Sequence, residues 1–223
     1  LTILQEDVIP ATGCTEPVAL AFATAVAVKE LNEPVESIKA RVSSNLMKNG
    51  MGVMVPGTGC TGLYIAAAVG ALGGNAEAGL QVLEGLSAET VARGKQMVQL
   101  GKVSVSVADV PHVLYAEATV FGKQHSVKVC IADGHTNVVH KEKDGKVIFA
   151  STQQKGSSNE DKNLFLQQLT AREVYDFAQG IALDRVAFIR KAAEINGALS
   201  KEGLSGKYGL HLGAALKQRI ASG

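Results

Sequence analysis

The spacing of apolar residues changes at Lys102, and that change fixes the class of fold open to the chain. Upstream, Val18-Ala19-Leu20-Ala21-Phe22-Ala23-Thr24-Ala25-Val26-Ala27-Val28 and the run 63–72 are small, apolar and long enough for helices. Downstream, Val103-Ser104-Val105-Ser106-Val107 and the stretches 114–121 and 126–131 alternate every second residue, the mark of half-buried strands. A further pair, 138–141 and 147–150, is joined by a turn at Lys143-Asp144-Gly145. One earlier stretch, 35–42, alternates in the same way. Helical spacing resumes after a polar, aperiodic segment, with Thr170 as a cap. The expected class is α+β, an antiparallel meander sheet packed with helices and with helical segments at both ends. The expected organisation is 1–100 mainly helical with one strand, 101–150 antiparallel strands, 151–165 a mobile loop and 166–223 helical.

Composition narrows the class of function. The 223 residues are 46% hydrophobic and 19% charged with a net charge of +1, a balance that implies no general attraction to nucleic acid or an anionic membrane. The longest apolar stretch is about half of the roughly 20 residues a bilayer-spanning helix needs. Three widely spaced cysteines, Cys14, Cys60 and Cys130, make a poor disulfide framework and fit a reducing cytoplasm. The chain has no initiator Met and stops just after an amphipathic helix, which reads as a piece of a longer protein.

Chemistry concentrates in small-residue loops. In Ala11-Thr12-Gly13-Cys14-Thr15-Glu16-Pro17, Pro17 suits a first helical turn and Thr15 a cap, so Cys14 falls just ahead of a helix amino terminus. The positive end of the helix dipole is expected to favour its thiolate. The stretch Ser44-Asn45-Leu46-Met47-Lys48-Asn49-Gly50-Met51-Gly52 and the turn around Pro56-Gly57-Thr58-Gly59-Cys60-Thr61-Gly62 describe backbone that bends and approaches something closely. The second feeds a helix start, as an anion cradle does, but it lacks the Lys and spacing of a P-loop. Cys60 reads as part of a flexible turn and Cys130 as core. A last glycine-rich segment carries Lys207 and His211. Metal-ligand spacing among the histidines, a Cys-x-x-Cys pair and a Rossmann fingerprint are all missing. Convergent polar groups on tight backbone suit a small zwitterion such as an amino acid.

Five of these segments, in order, resemble the L-cysteine desulfidase family, which is itself similar to the serine dehydratase alpha chain. They are 11–17, 45–53, 55–59, Gly134-His135-Thr136 and 204–211, and the likeness is strongest to the bacterial YhaM-type branch, over its amino-terminal part. The resemblance implies a cytoplasmic lyase that uses no pyridoxal phosphate. Such an enzyme holds a [4Fe-4S] cluster with three cysteines and eliminates sulfide from L-cysteine, leaving 2-aminoacrylate that hydrolyses to pyruvate and ammonia. Cys14 matches the family's amino-terminal cluster ligand, whereas Cys60 and Cys130 match no ligand motif, so the other ligands are expected in a missing carboxy-terminal half. On the same resemblance Lys48, His135, Lys207 and His211 are candidates for catalysis. Thr15, Glu16, Asn45, Asn49, Gly57, Thr58 and Gly59 are candidates for contacts to an amino-acid substrate. The expected partners are that substrate and the missing half, without nucleic acid or membrane, and homo-oligomerisation stays open. The alternative is a non-catalytic amino-acid-binding or sensing module built on the same loops.

Overall fold

Alanine and glycine allow backbone to approach backbone, and the centre of this fold is built on that. The computed structural model describes residues 1–151, 164–205 and 211–222. The loop expected at 151–165 falls almost wholly outside them, and Lys207 entirely so. The chain divides into two units, one comprising Pro10–Gln154 and the other Leu1–Ile9 with Lys155–Gly223.

The first unit is a helix-on-sheet layer. Helix α2 (Thr15–Leu31) is buried all round: Val18, Ala19, Leu20, Ala21, Ala23 and Ala27 have no exposed surface. On one side it packs on the sheet, and on another on α4 (Leu63–Gly73), itself backed by α5 (Ala88–Gln99). Gly70 of α4 makes the helix contact possible, since a Cβ there would lie 2.4 Å from the Ala21 carbonyl oxygen and 2.5 Å from Thr24 Oγ1. Thr24 meets its own need by donating its hydroxyl to the Ala21 carbonyl at 2.8 Å.

The strands β1 (Ser37–Val42), β4 (Val103–Val107), β5 (Tyr115–Phe121), β6 (Ser126–Ala132), β7 (Val138–Lys143) and β8 (Lys146–Ala150) form one sheet in the order β4-β1-β5-β6-β7-β8. Between β7 and β8, Asp144 and Gly145 turn with φ of 52° and 74°, the left-handed pair that a two-residue hairpin loop requires. The α+β class and the meander from β5 to β8 are as expected. Two details differ. The strand β1 inserts between β4 and β5, and β4 runs parallel to it, so the sheet is mixed. Parallel pairing of β4 needs the whole connection through the helices Ser44–Gly50 (α3), α4 and α5 between the two strands, a relation that alternation in β4 alone does not encode.

Register explains the burial. Ala40, Ala118 and Val129 stand side by side, as do Val42, Ala116 and Ile131, and all six side chains are buried. The opposite face carries the row Arg41, Glu117, Cys130 and His140. Here the Tyr115 hydroxyl donates to Glu117 at 2.9 Å and toward Cys130 Sγ at 3.4 Å, while Lys128 and His140 both reach Glu142 at 2.7 Å. Cys130 is core, as expected, and burial pushes its thiol pKa up.

Two elements were not foreseen. Residues Ser44–Gly50 form a short helix, α3, whose N-cap Ser43 accepts from the Leu46 amide. Met54–Val55 and Cys60–Thr61 pair as a small antiparallel ribbon, β2 and β3, so Cys60 lies in a strand. The second unit holds α1 (Thr2–Asp7), α6 (Ala171–Gly180), α7 (Ala187–Gly203) and α8 (Leu212–Ala221). In α6 the expected cap is complete, for Thr170 and Glu173 bond reciprocally in a capping box. Among the described residues no helix is long and apolar enough to cross a membrane.

Candidate functional site at Cys14

Helix α2 fixes the site because its first turn carries the polar groups while its body is locked in the core. Cys14 is its N-cap, half-buried and extended at φ −69° and ψ 132°. Gly13 before it has φ +84°, and a Cβ there would fall 2.5 Å from Pro56 Cγ, so the β2–β3 turn presses on the Cys14 loop. The Thr12 amide donates to the Leu80 carbonyl at 3.0 Å, tying the loop to the 3₁₀ turn Ala76–Gln81. Glu16 is brought to α3 by Gly50, whose absent Cβ would stand 3.6 Å from the Glu16 Cβ.

Glu16 is the hub. Its carboxylate accepts from Cys14 Sγ at 2.8 Å and Thr15 Oγ1 at 3.4 Å, and from Asn49 Nδ2 at 3.2 Å. Chiefly because of the Cys14 thiol, with help from Asn49, the carboxyl pKa lies below its ordinary value, and the charge of His135 acts in the same direction. His135, in the turn after β6, has its own pKa lowered by burial against the opposing pull of Glu16, so it favours the neutral imidazole. Four sequence candidates, Cys14, Glu16, Asn49 and His135, therefore share one electrostatic neighbourhood, with Thr15 at its edge.

The expected thiolate is not what this geometry gives. The Cys14 pKa is raised, first by burial and then by the hydrogen bond to Glu16. Burial disfavours the thiolate, and the carboxylate two residues away holds the thiol proton. Thr58 is buried; its hydroxyl donates to the Val55 carbonyl at 2.7 Å and accepts from the Cys60 amide at 3.0 Å, which closes the β2–β3 turn. Gly57 and Gly59 are exposed turn residues with φ of 74° and 64°. Asn45 and Lys48 are exposed on α3 and, among the described residues, do not enter the Glu16 cluster. His211 lies in the helical unit, exposed at the N-cap of α8, whereas the Cys14 cluster is built within the other unit. Sequence reading did not find that 76–81 anchors the loop, because it acts there through backbone alone.

An iron–sulfur cluster of this kind requires several thiolate ligands brought together. Cys14 fits the part of one thiolate ligand by position, half-buried at a helix N-terminus, and would have to give up its proton on ligation. Cys130 is covered by Tyr115, Cys60 is paired in the ribbon, and no group of three or more His, Cys, Asp or Glu among the described residues could hold a metal. A full ligand set is not present among the described residues.

Comparison with known proteins places the chain among bacterial relatives. It is 53% identical over 99% of its length to a UPF0597 protein of Chromobacterium violaceum. It is 49% identical over its whole length to one of Dichelobacter nodosus, and 46% identical over 99% to UPF0597 protein YhaM of Escherichia coli strain HS. In each case it spans about half, 51%, of the relative's length. None of those names states an activity. No family model matches the chain, and no solved structure does.

Proposed function

We propose, on the premise that this chain is half of a UPF0597-like protein, that it is the amino-terminal part of an iron–sulfur-dependent lyase. The enzyme uses no pyridoxal phosphate and eliminates the β-substituent of L-cysteine, or of L-serine in the same manner. The observation that carries the reading is the meeting of Cys14, Glu16 and Asn49 at the start of a buried helix, with His135 inside the same field. The segments that supply them are the ones that resemble the desulfidase family. Cys14 is the cluster ligand this half contributes. A bound cluster would supply a Lewis-acidic iron that polarises the substrate. On ligation the Cys14 proton would leave to solvent, and Glu16, whose pKa is already low, would stay a carboxylate able to face a substrate ammonium, with the Asn49 amide free to meet the substrate carboxylate.

The test is anaerobic reconstitution of the full-length protein with iron and sulfide, followed by a sulfide-release assay on L-cysteine. The expected result is a brown protein that releases sulfide, with both properties lost in Cys14→Ala. A wild type that takes up no iron, or a variant that behaves identically, overturns the assignment. A second reading, a non-catalytic amino-acid-binding module, draws on the raised Cys14 pKa, since a protonated thiol suits binding better than ligation. It predicts a colourless full-length protein whose melting temperature rises with L-cysteine or L-serine.

A further inference from the structure

Helical spacing in the second unit produces apolar stripes that, among the described residues, only Leu4 of α1 meets from outside them. In α6, Val174, Phe177, Ala178 and Ile181 recur at positions that share one helix face, and Val186, Ile189 and Ala193 do the same from the 3₁₀ turn Leu183–Val186 into α7. Together they line a groove of about 790 Å³. No residue of α6, α7 or α8 is buried, Leu183 at the groove's edge is 84% exposed, and even Phe177 is 39% exposed. Helices in globular proteins owe most of their stability to a covered apolar face, and a contiguous exposed one marks a docking surface.

We propose that in the full-length protein this groove is filled by an amphipathic helix from the half that the relatives carry and this chain does not match. The relatives are similar to this chain along all of it, these helices included, and each contains about as much polypeptide again. A segment on the same polypeptide meets the groove at a high effective concentration, far above that of a free second copy. The chemistry selects the occupant, since an apolar groove lined by helices takes a helix with apolar residues at i, i+3, i+4 and i+7. Asp184 and Arg190 at the lining give that helix one charged group of each sign to meet at its polar border.

A photoreactive benzophenone amino acid placed at Leu183 of the purified full-length protein tests this. The expected product runs as a monomer, and its cross-linked peptide maps outside residues 1–223. A dimer band, a peptide from within 1–223, or no product beyond that of the denatured protein overturns the proposal. Leu183→Asp gives an independent reading, because so exposed a leucine has little to lose within this chain. A downward shift in the full-length melting temperature is expected, and an unchanged one counts against the docked helix.

Discussion

At the scale of single residues, burial first and the Glu16 carboxylate second raise the Cys14 thiol pKa, the opposite of what its place at a helix terminus leads one to expect. Replacing Glu16 with Gln removes the charge that holds the thiol proton, so the pH midpoint for alkylation of Cys14, followed peptide by peptide, is expected to move down. An unmoved midpoint means that burial alone sets it. The linked stabilities run in opposite directions. The raised Cys14 pKa contributes stability that is fully present below the ordinary thiol pKa and lost as pH rises through the raised value. The lowered Glu16 pKa contributes stability present above the ordinary carboxylate pKa and lost as pH falls through the lowered value. The expected Thr15 cap is not made: Cys14 is the N-cap, without a side-chain cap bond, and Thr15 is the first helical residue with its hydroxyl on Glu16. Sequence nonetheless placed Cys14 correctly at the helix start through Pro17, a first-turn signal. It missed the protonation state because dipole reasoning looked only along the helix. The bond from Asn49 to Glu16 joins residues 33 apart in sequence, and no spacing rule reaches that far.

At the scale of elements, the close approach of α2 and α4 invites a single-atom perturbation. Gly70→Ala would set a methyl group against the Ala21 carbonyl and Thr24 Oγ1, forcing the helices apart. A loss of about 1–3 kcal/mol is expected from overpacking of this kind. Urea denaturation measures it, and an unchanged midpoint would show that the helices shift freely. The α2 and α4 runs were legible because Ala-rich apolar stretches have few other solutions. The meander was legible because its turns are short and one carries Asp144-Gly145. The insertion of β1 was not, since it pairs with strands more than 60 residues further along, such as Val42 with Val107. Helix α3 was hidden by its own composition, because asparagine and glycine at 45, 49 and 50 read as loop while the Ser43 cap and buried Leu46 decide otherwise.

At the scale of the molecule, core and surface are divided unevenly between the two units. Every hydrophobic residue that is buried among the described ones lies between Val18 and Ala132. A chain trimmed to residues 10–154 is therefore expected to fold by itself, with a single cooperative urea transition. A broad, non-cooperative transition would mean that this unit needs the rest of the protein to hold its core.

The burial of α2 has a consequence for any ligand at Cys14. The helix that presents the thiol and the Glu16 carboxylate cannot move without disturbing the most tightly packed part of the chain. Its polar groups are thus preorganised, and a small molecule arriving there loses affinity to desolvation of the Cys14–Glu16–Asn49 cluster more than to ordering of the protein. Discrimination among similar amino acids would then rest on how well each replaces those three hydrogen-bonding groups, and little on induced closure.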